Sequence, residues 1–401
     1  MQDENFPALI AIDLERLFPQ RLAAKISQTQ NPDAETGASF PIGTNYVIII
    51  LYMNTVTLHA SDLDGYLTDT DKKDIDEISG LYDLSLDLFG RIDGNDKSRE
   101  AEEELTELSI RIGHRLEEIT AKNKRIHVYS FETPRELHGE ASRIIAKLRN
   151  PGTGHEEFLY YIQRAYEILF SSTFADKCLN RKRTIIEKTP VSIPVQNYAV
   201  HRLPDVDELV QNSVMCVMLR GALLPSMIIS KEIEDYTSNG YITPFALFRI
   251  KRDESKSESD MAYVLDLGRS FFKPEELDGK DLIFADPMNA TGGSLVTIIT
   301  YLRQLGIKPK SIKFINVIAA LKGALRITRA IEAAEVYTLW MDPVLNESAY
   351  ILPGLGDAGD RLNGKDEGEP RNMIQLIADY GHDIVNLYRN QVREIEKTVL
   401  H

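Results

Sequence analysis

The stretch DLIFADPMNATGGSLV, Asp281 to Val296, ends an apolar run at Asp286 and then reaches Thr291, Gly292, Gly293 and Ser294. A glycine pair lets backbone amides approach an anion with no Cβ in the way, and the N-terminus of a following helix adds a favourable dipole. The hydroxyls of Thr291 and Ser294 add donors. Such a loop holds a phosphate monoester without a lysine. No Gly-Lys-Ser or Gly-Lys-Thr comes after it, which sets the lysine-bearing nucleotide loop aside. Asp286 cannot share the phosphate, because two anions in contact repel. It has to face something neutral or cationic, either vicinal ribose hydroxyls or a magnesium ion. A bare glycine pair is equally a tight strand-to-helix connection; the carboxylate at a strand end favours the ligand reading.

The elements that must carry these residues read as a parallel α/β array. Met215 to Leu219, Pro244 to Phe248, Asp281 to Ala285, Ile312 to Ala319 and Glu335 to Met341 are short apolar runs bounded by turn residues or helices, the pattern of buried parallel strands. Between two of them GSLVTIITYLRQLG places Leu295, Ile298, Ile299 and Leu302 on one helical face. A doubly wound, mostly parallel sheet is expected over residues 125–366. Upstream, residues 1–124 read as an additional α/β or α+β domain. It holds a buried strand at Tyr46 to Met53, a second strand after a turn near Asn54, and an amphipathic surface helix from Lys97 to Lys124 with Leu105, Leu108, Ile110, Ile112 and Leu116. The short strand in RIHVYSF marks the expected boundary. Residues 367–401 form a C-terminal helical extension, its apolar positions returning at helical spacing from Asn372 to about Leu400.

With 401 residues, 43% apolar and 27% charged, the chain has the composition of a soluble globular protein of two domains. A formal charge of -15 argues against wrapping nucleic acid or coating an anionic membrane. The run Tyr46 to Met53 is far short of the ~20 residues that span a bilayer. Cys178 and Cys216 cannot build a disulfide framework or a four-ligand zinc site, and a cytoplasmic location is expected.

DPMNATGGS resembles the phosphoribosyl diphosphate (PRPP) loop of uracil phosphoribosyltransferases, usually DPMLATGGS, with Asn289 in place of an apolar residue. YILPGLGDAGDR, Tyr350 to Arg361, resembles the uracil-binding loop of the same family. Asp342, Leu345, Asn346 and Glu347 in YTLWMDPVLNESAYI, Arg220 in MLRGALLP, and Arg149, Thr153 and Phe158 in LRNPGTGHEEF match its pattern too. The resemblance covers roughly His127 to Gly364. It implies transfer of the phosphoribosyl group of PRPP to uracil, giving uridine monophosphate and pyrophosphate. On that basis Asp286, Pro287, Met288, Asn289, Ala290, Thr291, Gly292, Gly293 and Ser294 bind PRPP, with Thr291 to Ser294 around the 5-phosphate and Asp286 at the ribose. Arg220 and Arg249, the latter in ALFR, meet the diphosphate; Asp357 lies near PRPP. Backbone atoms of Ile351, Gly356, Asp357 and Ala358 read the pyrimidine. Asp286, Arg220, Arg249 and Asp357 are the catalytic candidates. Magnesium bound with PRPP and a homo-oligomer are further implications, and no covalent nucleophile is required.

Ile250 to Phe272 stands where the family carries a flexible hood hairpin, but Asp266, Leu267 and Gly268 replace its lysine-leucine-proline signature, and Leu321 replaces a proline in AALKG. A non-catalytic PRPP or uridine-nucleotide sensor, signalling through residues 1–124, is therefore the alternative, and an N-terminal region that only mediates oligomerisation is a third. DLDGYLTDTD, Asp62 to Asp71, resembles the nucleophile motif of haloacid dehalogenase-type phosphatases, with Tyr66 for the expected threonine; the competing reading is an acidic turn after a strand. His138 and His155 read as surface or capping residues, and Trp340 as core.

Overall fold

The computed structural model describes residues 55–93, 99–178, 180–191, 198–253 and 255–363. The expected strand at Tyr46 to Met53, the turn at Asn54 and the helix from Asn372 lie outside them. The chain divides into a unit ending at Tyr52 and a unit beginning at Met53, and the description concerns the second.

That unit opens with β1 (Thr55–His59) and two long helices, α1 (Asp69–Asp93) and α2 (Arg99–Ala121). After β2 (Ile126–Val128) come α3 (His138–Arg149), α4 (His155–Phe170) and a two-stranded arm, β3 (Lys182–Lys188) with β4 (Tyr198–Pro204). The chain continues through β5 (Ser213–Leu219), α5 (Leu223–Tyr236), β6 (Phe245–Arg252), β7 (Ala262–Phe271), β8 (Asp281–Ala285), β9 (Met288–Asn289), α6 (Gly293–Gln304), β10 (Ser311–Ala320), α7 (Leu321–Ala330) and β11 (Ala334–Asp342). The short pair β12 (Val344–Leu345) and β13 (Ile351–Leu352) precedes α8 (Ala358–Asn363).

One nine-stranded sheet organises the unit, in the order β1-β7-β6-β5-β8-β10-β11-β2, with β9 on β10. From β6 to β2 every pairing is parallel; β1, β7 and β6 are antiparallel. The central strands SVMCVML and DLIFA are buried at every position because helices cover them on both faces. α4 packs with α5, and α6 with α7. The face expected for α6 is the buried one: Leu295, Ile298, Ile299 and Leu302 are at most 1% exposed. Among the described residues no helix is long and apolar enough to cross a membrane.

The boundary expected near Ile126 falls at β2. β1 and β2 are both strands of the main sheet, so residues 55–124 belong to the same unit as the strands and helices after them. α1 and α2 lie against each other and bury Ile78, Leu108, Ile112, Leu116 and Ile119, whereas Ile110 points to solvent. The acidic turn resolves as structure. Asp71 accepts the Thr68 N–H and holds Arg329 of α7 at 2.9 Å, and Asp64 holds Arg326 of α7 at 2.9 Å. Trp340 is half-buried rather than core. Both cysteines are buried and outside any disulfide.

Candidate active site

The carboxyl ends of the parallel strands open onto one cleft of about 740 Å³, a size suited to a small ligand. Arg220 comes directly after β5, Arg249 lies within β6, Asp286 comes directly after β8, and Asp357 stands just before α8; all four line the cleft, together with Met288, Asn289, Ala290, Thr291, Gly292, Gly293 and Ser294. Of the other expected site residues, Pro287, Ile351, Gly356 and Ala358 are not in its lining, and Ile351 and Ala358 are buried.

Asp286 is held from three directions. Its Oδ1 accepts the Met288 N–H at 3.0 Å, its own N–H donates to the Ile315 carbonyl at 3.0 Å, and Asn316 donates to its carbonyl at 2.9 Å. Burial pushes the carboxyl up to about 7; the Met288 amide and the charge of Arg252 oppose that shift, and Asp357 adds to it. The side chain still opens onto the cleft at one edge. A carboxylate poised there changes charge near neutrality.

The two loop glycines each have a structural reason to be glycine. Gly292 caps α6 in a left-handed conformation, φ 75°, that other residues resist. At Gly293 a Cβ would lie 2.2 Å from the ring of Tyr263, so its bareness is required by a neighbouring side chain. The Tyr263 hydroxyl donates to Thr291 Oγ1 at 2.6 Å, and the Gly293 N–H reaches the same oxygen at 3.3 Å.

The loop expected to read a pyrimidine is fixed by an ion pair to a buried carboxylate. Arg149 of α3 meets Asp342 at 2.5 Å, and the second oxygen of Asp342 accepts the Gly354 N–H at 3.0 Å. Gly354 has φ 66°, and a Cβ there would sit 2.1 Å from the Ile351 carbonyl. Arg361 donates to the Leu355 carbonyl at 2.9 Å and stacks over Phe158 at 4.0 Å; burial lowers its pKa. His155 bonds the Arg361 carbonyl at 2.9 Å and His138 the Thr133 carbonyl at 2.7 Å; neither lines the cleft.

The hood is β6 and β7, joined across a bulge between Leu247 and Arg249. Its tip is docked. Glu258 binds Lys322 at 2.6 Å and Arg326 at 2.9 Å, and its N–H donates to the Glu347 carbonyl at 2.6 Å. Burial alone would raise the Glu258 carboxyl, but the two cations outweigh it and hold it below its ordinary value. Arg252 reaches over the Tyr350 ring at 5.2 Å. On its outer edge β7 pairs with β1, Leu58 opposite Tyr263.

Lys251, Arg252, Tyr263 and Asp360 are among the lining residues that escaped the sequence reading. The basic pair shortly after ALFR was a legible signal for the first two. Asp360 stands 3.3 Å from Arg220. Asp286, Asp357 and Asp360 offer hard oxygen donors at one cleft, which fits magnesium carried in by a diphosphate, since that ion is usually held by one or two carboxylates plus phosphate. Among the described residues no cluster of three or more His, Cys, Asp or Glu would hold a metal unaided.

A family model for uracil phosphoribosyltransferase matches residues 244–364. A uracil phosphoribosyltransferase of Campylobacter concisus is 35% identical over 160 residues, 40% of this chain and 69% of that protein. One from Polaromonas naphthalenivorans is 44% identical over 95 residues, 23% of this chain; the chain spans only 44% of its length. A solved Aquifex aeolicus protein aligns over 57% of this chain and 95% of its own at 24% identity, with a TM-score of 0.40.

Proposed function

The chain belongs to the uracil phosphoribosyltransferase family, and on that premise we propose that it transfers the phosphoribosyl group of PRPP to uracil, giving uridine monophosphate and pyrophosphate. One observation carries the reading: the phosphate loop, Asp286, the two arginines and Asp357 line a single cleft.

In this reading the 5-phosphate rests on Thr291 to Ser294 at the N-terminus of α6, where amides and the helix dipole favour an anion. The ionised Asp286 accepts hydrogen bonds from the ribose hydroxyls. As pyrophosphate leaves, positive charge develops at the anomeric carbon and negative charge on the departing oxygen, while the uracil ring nitrogen bonds to that carbon and its proton passes to solvent. Arg220 and Arg249 meet the latter with charge-assisted bonds. Magnesium, when bound with PRPP, neutralises further diphosphate charge. The loop fixed by Arg149 and Asp342 presents backbone groups to the pyrimidine edge, and a base lacking the matching donors leaves them unpaired. Holding both reactants in line supplies much of the acceleration.

A second reading, a sensor that binds PRPP or a uridine nucleotide without turnover, is favoured by the pairing of β1 with the hood, which ties the upstream segment to the cleft cover. Labelled uracil with PRPP and magnesium separates the two. Product formation that Asp286→Asn abolishes supports transfer. Calorimetric binding of PRPP with no product supports the sensor.

A further inference from the structure

Tyr263 is the one aromatic side chain lining the cleft from β7. It is 1% exposed, and its backbone position is set from both sides: Arg252 of β6 and Leu58 of β1 stand opposite it in the sheet. Burial raises its pKa, so the phenol keeps its proton at neutral pH and acts as a donor. That proton goes to Thr291 Oγ1 at 2.6 Å. A hydroxyl has two lone pairs and one hydrogen. At Thr291 the lone pairs are taken up by the Tyr263 O–H and by the Gly293 N–H at 3.3 Å, so the remaining hydrogen is the group Thr291 can offer to another acceptor.

We propose that Tyr263 is a positioning residue for the phosphate loop: its hydroxyl orients Thr291 so that the threonine proton is given to the 5-phosphate of the ribose ligand. The assignment rests on the phosphoribosyl reading of the cleft. Its effect is local to one ligand. Tyr263 touches Thr291 and Gly293, at the phosphate end, while the pyrimidine loop is held separately by Arg149 and Asp342. Bareness at Gly293 has the same origin, since the tyrosine ring occupies the space a Cβ would need. The hood thus reaches the phosphate through a hydrogen bond inside the protein rather than by contact with the ligand.

The test uses the full chain, with ribose 5-phosphate as the calorimetric probe and turnover measured in parallel. Tyr263→Phe keeps the ring and removes only the donor. Expected is about tenfold weaker binding of ribose 5-phosphate and a matching rise in KM for PRPP, with KM for uracil within about twofold. Thr291→Val removes the oriented hydroxyl. In that background Tyr263→Phe should cost nothing further, because the two residues act through one bond. Unchanged ribose 5-phosphate binding in Tyr263→Phe, or fully additive losses in the double variant, overturns the assignment while leaving the phosphoribosyl reading intact. Failure of the wild type to bind ribose 5-phosphate overturns both.

Discussion

Arg149 and Asp342, far apart in sequence, meet at 2.5 Å beneath the loop expected to read a pyrimidine, and the Asp342 carboxylate, which also accepts the Gly354 N–H, is 1% exposed. A buried charge that loses its partner is costly, on the order of 3–5 kcal/mol. Arg149→Ala should lower the melting temperature markedly and raise KM for uracil more than KM for PRPP. An unchanged melting curve with only the PRPP constant altered would contradict this role.

Asp286 should trade stability for function across a defined pH window. Its unfolded-state pKa is near 3.8 and its folded value is about 7. Between those limits the fold keeps a proton that the unfolded chain has lost. The associated stabilisation is therefore complete below about 3.8 and is lost as pH rises through about 7. Asp286→Asn carries no charge at any pH. Its advantage in melting temperature over the wild type should grow from about pH 4 to about pH 7 and then level off, and its turnover should be absent throughout. In the wild type, kcat/KM for PRPP should rise through about pH 7 as the carboxyl ionises. A melting difference that is flat with pH would sink the assignment of the titration to Asp286.

Gly293→Ala would drive a Cβ into the Tyr263 ring at 2.2 Å. Overpacking of this kind costs roughly 1–3 kcal/mol, and the displaced loop should lose PRPP affinity by about a hundredfold or more. Gly113→Ala, on α2 with open space at its Cβ, is the control and should be neutral or slightly stabilising. Equal behaviour of the two variants in PRPP titrations would show that the ring contact is unimportant.

Removing residues 1–124 should abolish cooperative folding. It strips β1 from β7, exposes the surface that α2 covers, and leaves the buried Arg326 without Asp64 and Arg329 without Asp71. Circular dichroism melts and gel filtration check it. A monodisperse truncated protein with a sharp transition and full turnover would show that the extension is dispensable.

How much the sequence disclosed depends on how local each signal is. Asp281–Ala285 was legible to the residue because a fully covered parallel strand must be apolar throughout, and its end placed Asp286. Leu295, Ile298, Ile299 and Leu302 declared their face by spacing alone. The pairing of Thr55–His59 with Ala262–Asp266 leaves no such trace, since antiparallel register between distant segments is set by the assembled sheet. For the same reason Tyr263 was invisible as a site residue: only the sheet brings it to Thr291. The short strand in RIHVYSF, read from the sequence as a boundary, pairs with β11 in the main sheet, and α2 before it buries Leu108, Ile112 and Leu116 against partners that composition does not name.

The β1–β7 ladder also dictates an order of events during synthesis. Thr55–His59 leaves the ribosome long before Ala262–Asp266 exists, and a strand pairing that closes so long a loop gains nothing until both ends are present. The nascent chain must carry an unpaired β1 through most of translation, with the Asp64 and Asp71 carboxylates awaiting arginines that emerge later still. Completion of the hood is thus the earliest point at which β1 can pair, and the ion pairs of Asp64 and Asp71 close only once α7 has followed.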